Sequence, residues 1–94
     1  MNIKEVNSVY FLGIGGIGMS AIARYFNEHG VVVFGYDRTP TKLTQKLIEE
    51  GIQITFEDSI DTLTKDVSLV IYTPAIPTTN LQLNWYRENG FPVY

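Results

Sequence analysis

GIGGIGMS, residues 13–20, sits between the apolar run VYFL (residues 9–12) and a segment with helical spacing. Gly13, Gly15 and Gly18 stand at G-x-G-x-x-G spacing, with Gly16 inside the pattern. A phosphate needs N–H donors at close approach, and glycine removes the Cβ that would obstruct them while permitting positive φ. The helix that follows adds unpaired first-turn amides and the positive end of its dipole. Strand before and helix after is the context that gives such a loop meaning. The stretch predicts a phosphate site. A structural reading stands beside it, in which Gly13 and Gly18 only permit tight turning and close helix–sheet packing. No lysine with a serine or threonine closes the loop, so it is not a Walker-type phosphate loop.

Working outward, Ile17 to His29 has helical spacing, with Ile17, Ala21 and Tyr25 as an apolar stripe, Ile22 and Phe26 beside it, and Ser20, Arg24, Asn27 and Glu28 opposite. Gly30 supplies a left-handed stop. Val31 to Asp37 reads as a second strand. Thr39 and Pro40 read as the start of a helix carrying Leu43, Leu47 and Ile48 and ending at Gly51. Ile52 to Phe56 is a third strand, EDSIDTLTKD a segment with a short helical turn near Ile60 and Leu63, and Ser68 to Thr73 a fourth strand. Thr79 and Gln82 have capping-box spacing and open a last helix that closes at Gly90, after which FPVY begins a fifth strand. This alternation predicts an α/β fold, a doubly wound parallel five-stranded sheet in the order 3-2-1-4-5 with helices on both faces. Ligands of such sheets bind at the carboxyl ends of the strands, here the loops after Leu12, Tyr36 and Tyr72.

Asp37 follows Gly18 by 19 positions, where dinucleotide sites carry an acid that accepts from ribose hydroxyls. Its other reading is a surface turn carboxylate capping the helix that opens near Thr39. Arg38 and Thr39 are within reach of a base, ribose or phosphate, although Arg38 also suits a solvated surface. TPAIP, residues 73–77, is either a second wall of the cleft, with Thr73 contacting ligand oxygens, or a stiff connector.

The 94 residues suffice for one small domain. They are 45% hydrophobic and 18% charged with net charge −3, an ordinary globular balance without the basic stripe of a nucleic-acid binder. No cysteine is present, which excludes disulfides, zinc–thiolate sites and thiol catalysis. No apolar run reaches the roughly 20 residues a bilayer requires, and the N-terminal stretch lacks a leader's continuous apolar core and cleavage site. A cytoplasmic protein is expected, without membrane or nucleic-acid partners. His29 reads as a partner of a helix C-terminus, Glu57, Asp58, Asp61 and Asp66 as a solvated acidic edge, and Trp85 and Tyr86 as packing residues. No catalytic residue and no metal ligand is predicted.

GIGGIGMSAIARYF, GYDRTP and YTPAIP together resemble the N-terminal domain of the Mur ligases, ATP-dependent amide-forming enzymes of peptidoglycan synthesis, and in particular the branch that joins L-alanine to UDP-N-acetylmuramate. The resemblance covers essentially the whole chain and implies a Rossmann-like UDP-sugar-binding domain, followed in cis by an ATPase domain and a domain for the amino acid. It implies that Gly13, Ile14, Gly15, Gly16, Ile17, Gly18, Met19 and Ser20 hold the diphosphate of UDP-N-acetylmuramate. Asp37, Arg38 and Thr39 would lie toward the uridine, and Thr73, Pro74, Ala75 and Ile76 would form the opposing wall. ATP and Mg2+ would serve the full-length enzyme, no cofactor would belong to this segment, and the segment alone would not turn over. The resemblance departs at two positions: many members carry serine where this chain has Tyr36 and histidine where it has Glu57. Other readings are an NAD(H)-binding module of a dehydrogenase or redox sensor, the sibling ligase that recycles muropeptides, and a non-catalytic interaction domain.

Overall fold

The computed structural model describes residues 5–94; Met1 to Lys4, part of the N-terminal stretch considered above, lie outside the described residues. The elements run β1 (Ser8–Leu12), α1 (Ile17–Glu28), β2 (Val32–Tyr36), α2 (Lys42–Glu49), β3 (Gln53–Thr55), β4 (Leu69–Tyr72) and α3 (Leu81–Glu88). The four strands are parallel in the order β3-β2-β1-β4. The expected fifth strand is reduced to one parallel bridge, Val70 to Val93, on the outer side of β4. It is held by Val70 N–H to Pro92 O and Tyr94 N–H to Val70 O, both 2.9 Å.

Side chains alternate across the sheet. Val9, Phe11, Val33 and Leu69 face one layer with Ala23 and Phe26 of α1 and Leu47 of α2. Tyr10, Leu12, Tyr36 and Val70 face the other with Leu83 and Tyr86 of α3 and Leu63 and Val67 of the β3–β4 crossover. Helices therefore lie on both faces. Register places Leu12 beside Tyr36 and Tyr72, bringing the three strand ends to one edge.

Each helix ends in the same device. Gly30, Gly51 and Gly90 have positive φ, and the next amides, of Val31, Ile52 and Phe91, return to Phe26, Leu47 and Tyr86 O at 3.1 Å. This is the Schellman closure, and the apolar residue after each glycine packs inward, Val31 and Ile52 into the core and Phe91 half-buried against it.

Three local expectations are corrected. The buried face of α1 is Ser20, Ala23 and Phe26, whereas Ile17 is 86% exposed and Ile22 and Tyr25 are also exposed. Apolar residues surround the N-terminal half of this helix, so periodicity alone selects no face; small Ser20 and Ala23 allow the closer approach to the sheet. Helix α2 begins one turn-step later than Thr39–Pro40: Thr41 is the N-cap, its Oγ1 accepting the Thr44 amide at 3.1 Å while Thr44 Oγ1 accepts the Thr41 amide at 2.8 Å. Asn80, not Thr79, caps α3. The crossover holds the expected short turn near Ile60, with Thr62 N–H donating to Ser59 O at 3.3 Å. Gln82 instead becomes a buried junction, accepting from Tyr10 Oη at 2.8 Å and donating to Ser59 O at 2.9 Å and Thr62 Oγ1 at 3.1 Å. A buried amide so fully used ties β1, α3 and the crossover together.

Candidate functional site

At the carboxyl edge of the sheet a cleft of ≈ 600 Å³ is lined by Gly13, Gly15, Gly16, Tyr36, Asp37, Arg38, Thr39, Thr41, Asp58, Thr73, Ala75, Ile76, Pro77, Thr79 and Asn80. Its size suits a nucleotide-sized ligand.

The glycine loop divides in two. Gly13 and Ile14 N–H both donate to Tyr36 O, at 2.8 and 3.1 Å, Gly16 N–H donates to Gly13 O at 3.2 Å, and Gly15 N–H donates to Asp37 Oδ2 at 2.8 Å. These four amides are committed within the protein. Helix α1 then starts on Gly16, which offers no side-chain cap, and no acid stands in its first turn. The amides of Ile17, Gly18 and Met19 have no hydrogen-bond partner among the described residues. Elsewhere on this edge the helix starts carry side-chain caps: at α2 Thr41 takes the Thr44 amide and leaves those of Lys42 and Leu43 without a partner among the described residues, while at α3 Asn80 Oδ1 accepts Leu83 N–H at 2.8 Å. Asp58 adds a second closure to α3, its two oxygens accepting Leu81 and Gln82 N–H at 2.9 and 3.0 Å. An anion at this edge therefore finds three free amides and an uncapped helix start at α1, against the two amides, of Lys42 and Leu43, left at the capped start of α2.

Of the residues expected at the site, Gly13, Gly15, Gly16, Asp37, Arg38, Thr39, Thr73, Ala75 and Ile76 come together on the cleft. Ile14 turns inward and is fully buried against Gly35, where a Cβ would lie 2.9 Å from the Cβ of Ile14. Ser20 is buried with its hydroxyl donating to Ile17 O at 2.9 Å. Pro74 is exposed and is not part of the lining. Asp37 joins two of the readings above. It lines the cleft, and it also braces the loop, its Oδ1 accepting Thr39 N–H at 3.1 Å while Oδ2 holds Gly15.

The glycines have separate reasons. Gly13 has φ +90° and lies against the Thr73 side chain. At Gly15 a Cβ would lie 2.7 Å from Asp37 Oδ2. Gly18 has ordinary φ and nothing within 4 Å of a Cβ, so the packing explanation does not hold there. Gly18→Ala is thus expected to raise stability by about 0.5–1 kcal/mol through helix propensity. A thermal melt checks this, and a fall in melting temperature would show that the position is packed after all.

Two lining residues carry no sequence signal for this role. Asp58, expected on a solvated edge, is a fixed carboxylate at the α3 N-terminus. Tyr36 packs its ring in the core, and burial together with Asp58 and Asp37 pushes its phenol above the ordinary tyrosine value. Strand alternation could have directed Tyr36 to the face opposite Val33; Asp58 depends on where the crossover folds. His29 sits at the end of α1 with Nδ1 2.7 Å from Tyr25 O. Among the described residues no group of three or more His, Cys, Asp or Glu is gathered for a metal, and no helix is long and apolar enough to cross a membrane.

A family model described as "Mur ligase family, catalytic domain" matches residues 8–94. The chain is 50% identical over 99 residues to a UDP-N-acetylmuramate–L-alanine ligase of Phocaeicola vulgatus, covering 100% of this chain and 22% of that protein. The solved UDP-N-acetylmuramate–alanine ligase of Thermotoga maritima superposes with TM-score 0.86 at 37% identity, over 92% of this chain and 20% of that one. An NAD-complexed D-isomer-specific 2-hydroxyacid dehydrogenase from Lactobacillus delbrueckii superposes less well, with TM-score 0.57 at 28% identity over 84% of this chain and 22% of that one. The chain spans about a fifth of the length of the curated relatives it matches.

Proposed function

This chain belongs to the Mur ligase family, and from that membership we propose that it is the N-terminal, Rossmann-like domain that binds UDP-N-acetylmuramate in a ligase adding L-alanine to that sugar nucleotide for peptidoglycan synthesis. The observation that carries the reading is the set of Ile17, Gly18 and Met19 amides, three without a partner among the described residues in one uncapped first turn beside a nucleotide-sized cleft. Three converging N–H donors and a helix dipole stabilise the charge of a diphosphate without a basic side chain. Asp37 holds the loop in register through Gly15. Arg38 and Thr39 lie toward the uridine, and Thr73, Ala75 and Ile76 form the facing wall.

In the full-length enzyme, ATP with Mg2+ would activate the muramate carboxylate as an acyl phosphate for attack by the alanine amine. Those steps fall to domains in cis beyond this chain. Here the domain binds and orients the sugar nucleotide, and its setting is the cytoplasm.

The dehydrogenase likeness favours one other reading, an NAD(H) module, since that cofactor also presents a diphosphate to such a loop. Titration of the chain with UDP-N-acetylmuramate, UDP and NAD, followed by amide chemical shifts, separates the two. The UDP compounds are expected to shift Ile17, Gly18 and Met19 while NAD does not. Shifts at those amides with NAD alone would overturn the proposal.

A further inference from the structure

The cleft is mixed in charge. The uncapped start of α1 adjoins it, and Asp37, Arg38 and Asp58 line it. Each carboxylate is held by two backbone amides at 2.8–3.1 Å, Asp37 by Gly15 of the loop and Thr39, Asp58 by Leu81 and Gln82 of α3. Tyr36 lines the same cleft. This residue is 94% buried, its relative exposure being 6%, and its ring packs with Leu12 and Leu63. Its hydroxyl has no hydrogen-bond partner among the described residues, yet no buried side-chain oxygen or nitrogen there is left unpaired. The hydroxyl therefore reaches open space, and the open space that Tyr36 lines is the cleft.

With two fixed carboxylates against the single guanidinium of Arg38, the wall around Tyr36 holds no surplus of positive charge for a phosphate. A neutral group offering both acceptors and donors matches it: the phenol donates, and the carboxylate lone pairs left over from the backbone amides accept. Nucleoside bases and ribose diols have that mixed character. We infer that Tyr36 is a specificity-determining residue, its hydroxyl donating to an oxygen of the uncharged nucleoside end of the ligand while the diphosphate lies on α1. The inference rests on the sugar-nucleotide reading above and extends it to a residue outside the glycine loop. Register supports the placement. Tyr36 pairs with Leu12, the last residue before the loop, but its side chain leaves the sheet on the face opposite α1, so one ligand crossing the strand ends meets both.

The test compares the chain with Tyr36→Phe, which keeps the ring and removes only the hydroxyl. Because that hydroxyl makes no bond within the described residues, the melting temperature is expected to stay unchanged. Affinity for UDP is expected to fall about three- to tenfold, the contribution of one hydrogen bond. Inorganic pyrophosphate, which lacks the nucleoside, is expected to titrate identically with both chains at whatever strength it binds. Equal UDP affinity in the two chains would overturn the inference, as would a parallel loss for pyrophosphate. Absence of UDP binding to the unmodified chain is a distinct result: it overturns the sugar-nucleotide reading itself, and this inference with it.

Discussion

Gly13→Ala is expected to lower the melting temperature by about 15 °C and to remove ligand binding at temperatures where the chain still folds. Two costs add. A φ of +90° is open to glycine and strained by about 1–3 kcal/mol for any residue with a Cβ. The new methyl would also run into Cγ2 of Thr73. Overpacking of this kind costs about 1–3 kcal/mol, but Thr73 can relieve part of it by rotating. Rotation would take its Oγ1 from the Ala75 amide, a long contact at 3.5 Å, so that loss is small. The backbone strain therefore dominates, and the total is about 2–4 kcal/mol against a stability on the order of 10 kcal/mol. Adding Thr73→Ala separates the terms. It should recover the steric part and leave the strain, a coupling readable in a double-mutant cycle. A single mutant melting within a degree or two of the parent would show that the turn tolerates a side chain. Binding fails for a further reason: Gly13 and Ile14 N–H set the loop on Tyr36 O, and any rotation here re-aims the amides that follow.

Ile17→Asp is expected to weaken binding of UDP-N-acetylmuramate about thirtyfold while leaving the fold as stable as before or slightly more so. Ile17 is 86% exposed, so little burial is lost. A carboxylate in the first turn satisfies orphan amides and complements the dipole, which stabilises by about 0.3–1 kcal/mol. The same carboxylate occupies the donors a diphosphate needs and repels it, by roughly 1–3 kcal/mol at about 5 Å in an effective dielectric between that of a protein surface and water. Stability and binding should therefore move in opposite directions, which general damage to the loop would not produce. Ile17→Asn controls for shape, and added salt should narrow the difference between Asp and Asn. Unchanged binding in Ile17→Asp, or an equal loss in Ile17→Asn, would place the anion elsewhere.

The parts of the fold legible in the sequence were those with a local cause. Short β-branched and aromatic runs gave β1 to β4 to within a residue or two at each end. Gly30, Gly51 and Gly90 ended the helices where a left-handed residue was needed. The loop GIGGIGMS, set between VYFL and a segment of helical spacing, announced strand, turn and helix. Helix starts were less legible because several hydroxyls and amides compete for each cap. Thr39, Thr41 and Thr44 all lie near α2, and only the reciprocal Thr41–Thr44 bonds decide between them. The α1 face was misjudged because Ile17, Ala21, Ile22 and Tyr25 form as good a stripe as the buried one, and sheet approach rather than apolarity made the choice.

The site shows the same division. Its glycine motif, Asp37 and the Thr73–Ile76 loop were readable because each occupies a fixed place relative to a strand end. Which amides remain free was not readable, since that depends on Tyr36 O and Asp37, more than twenty residues away, claiming those of residues 13–15. Tyr36 and Asp58 were likewise invisible as partners: one looked like a strand residue, the other like solvated charge, until folding set both beside one cleft. By itself the sequence determined a parallel α/β sheet with a phosphate-suited loop at its edge, because period, turn chemistry and caps act between near neighbours. Only the tertiary structure decided which donors stay open and what faces them, because a hydrogen-bonding group is spent or spared by whatever part of the chain arrives beside it.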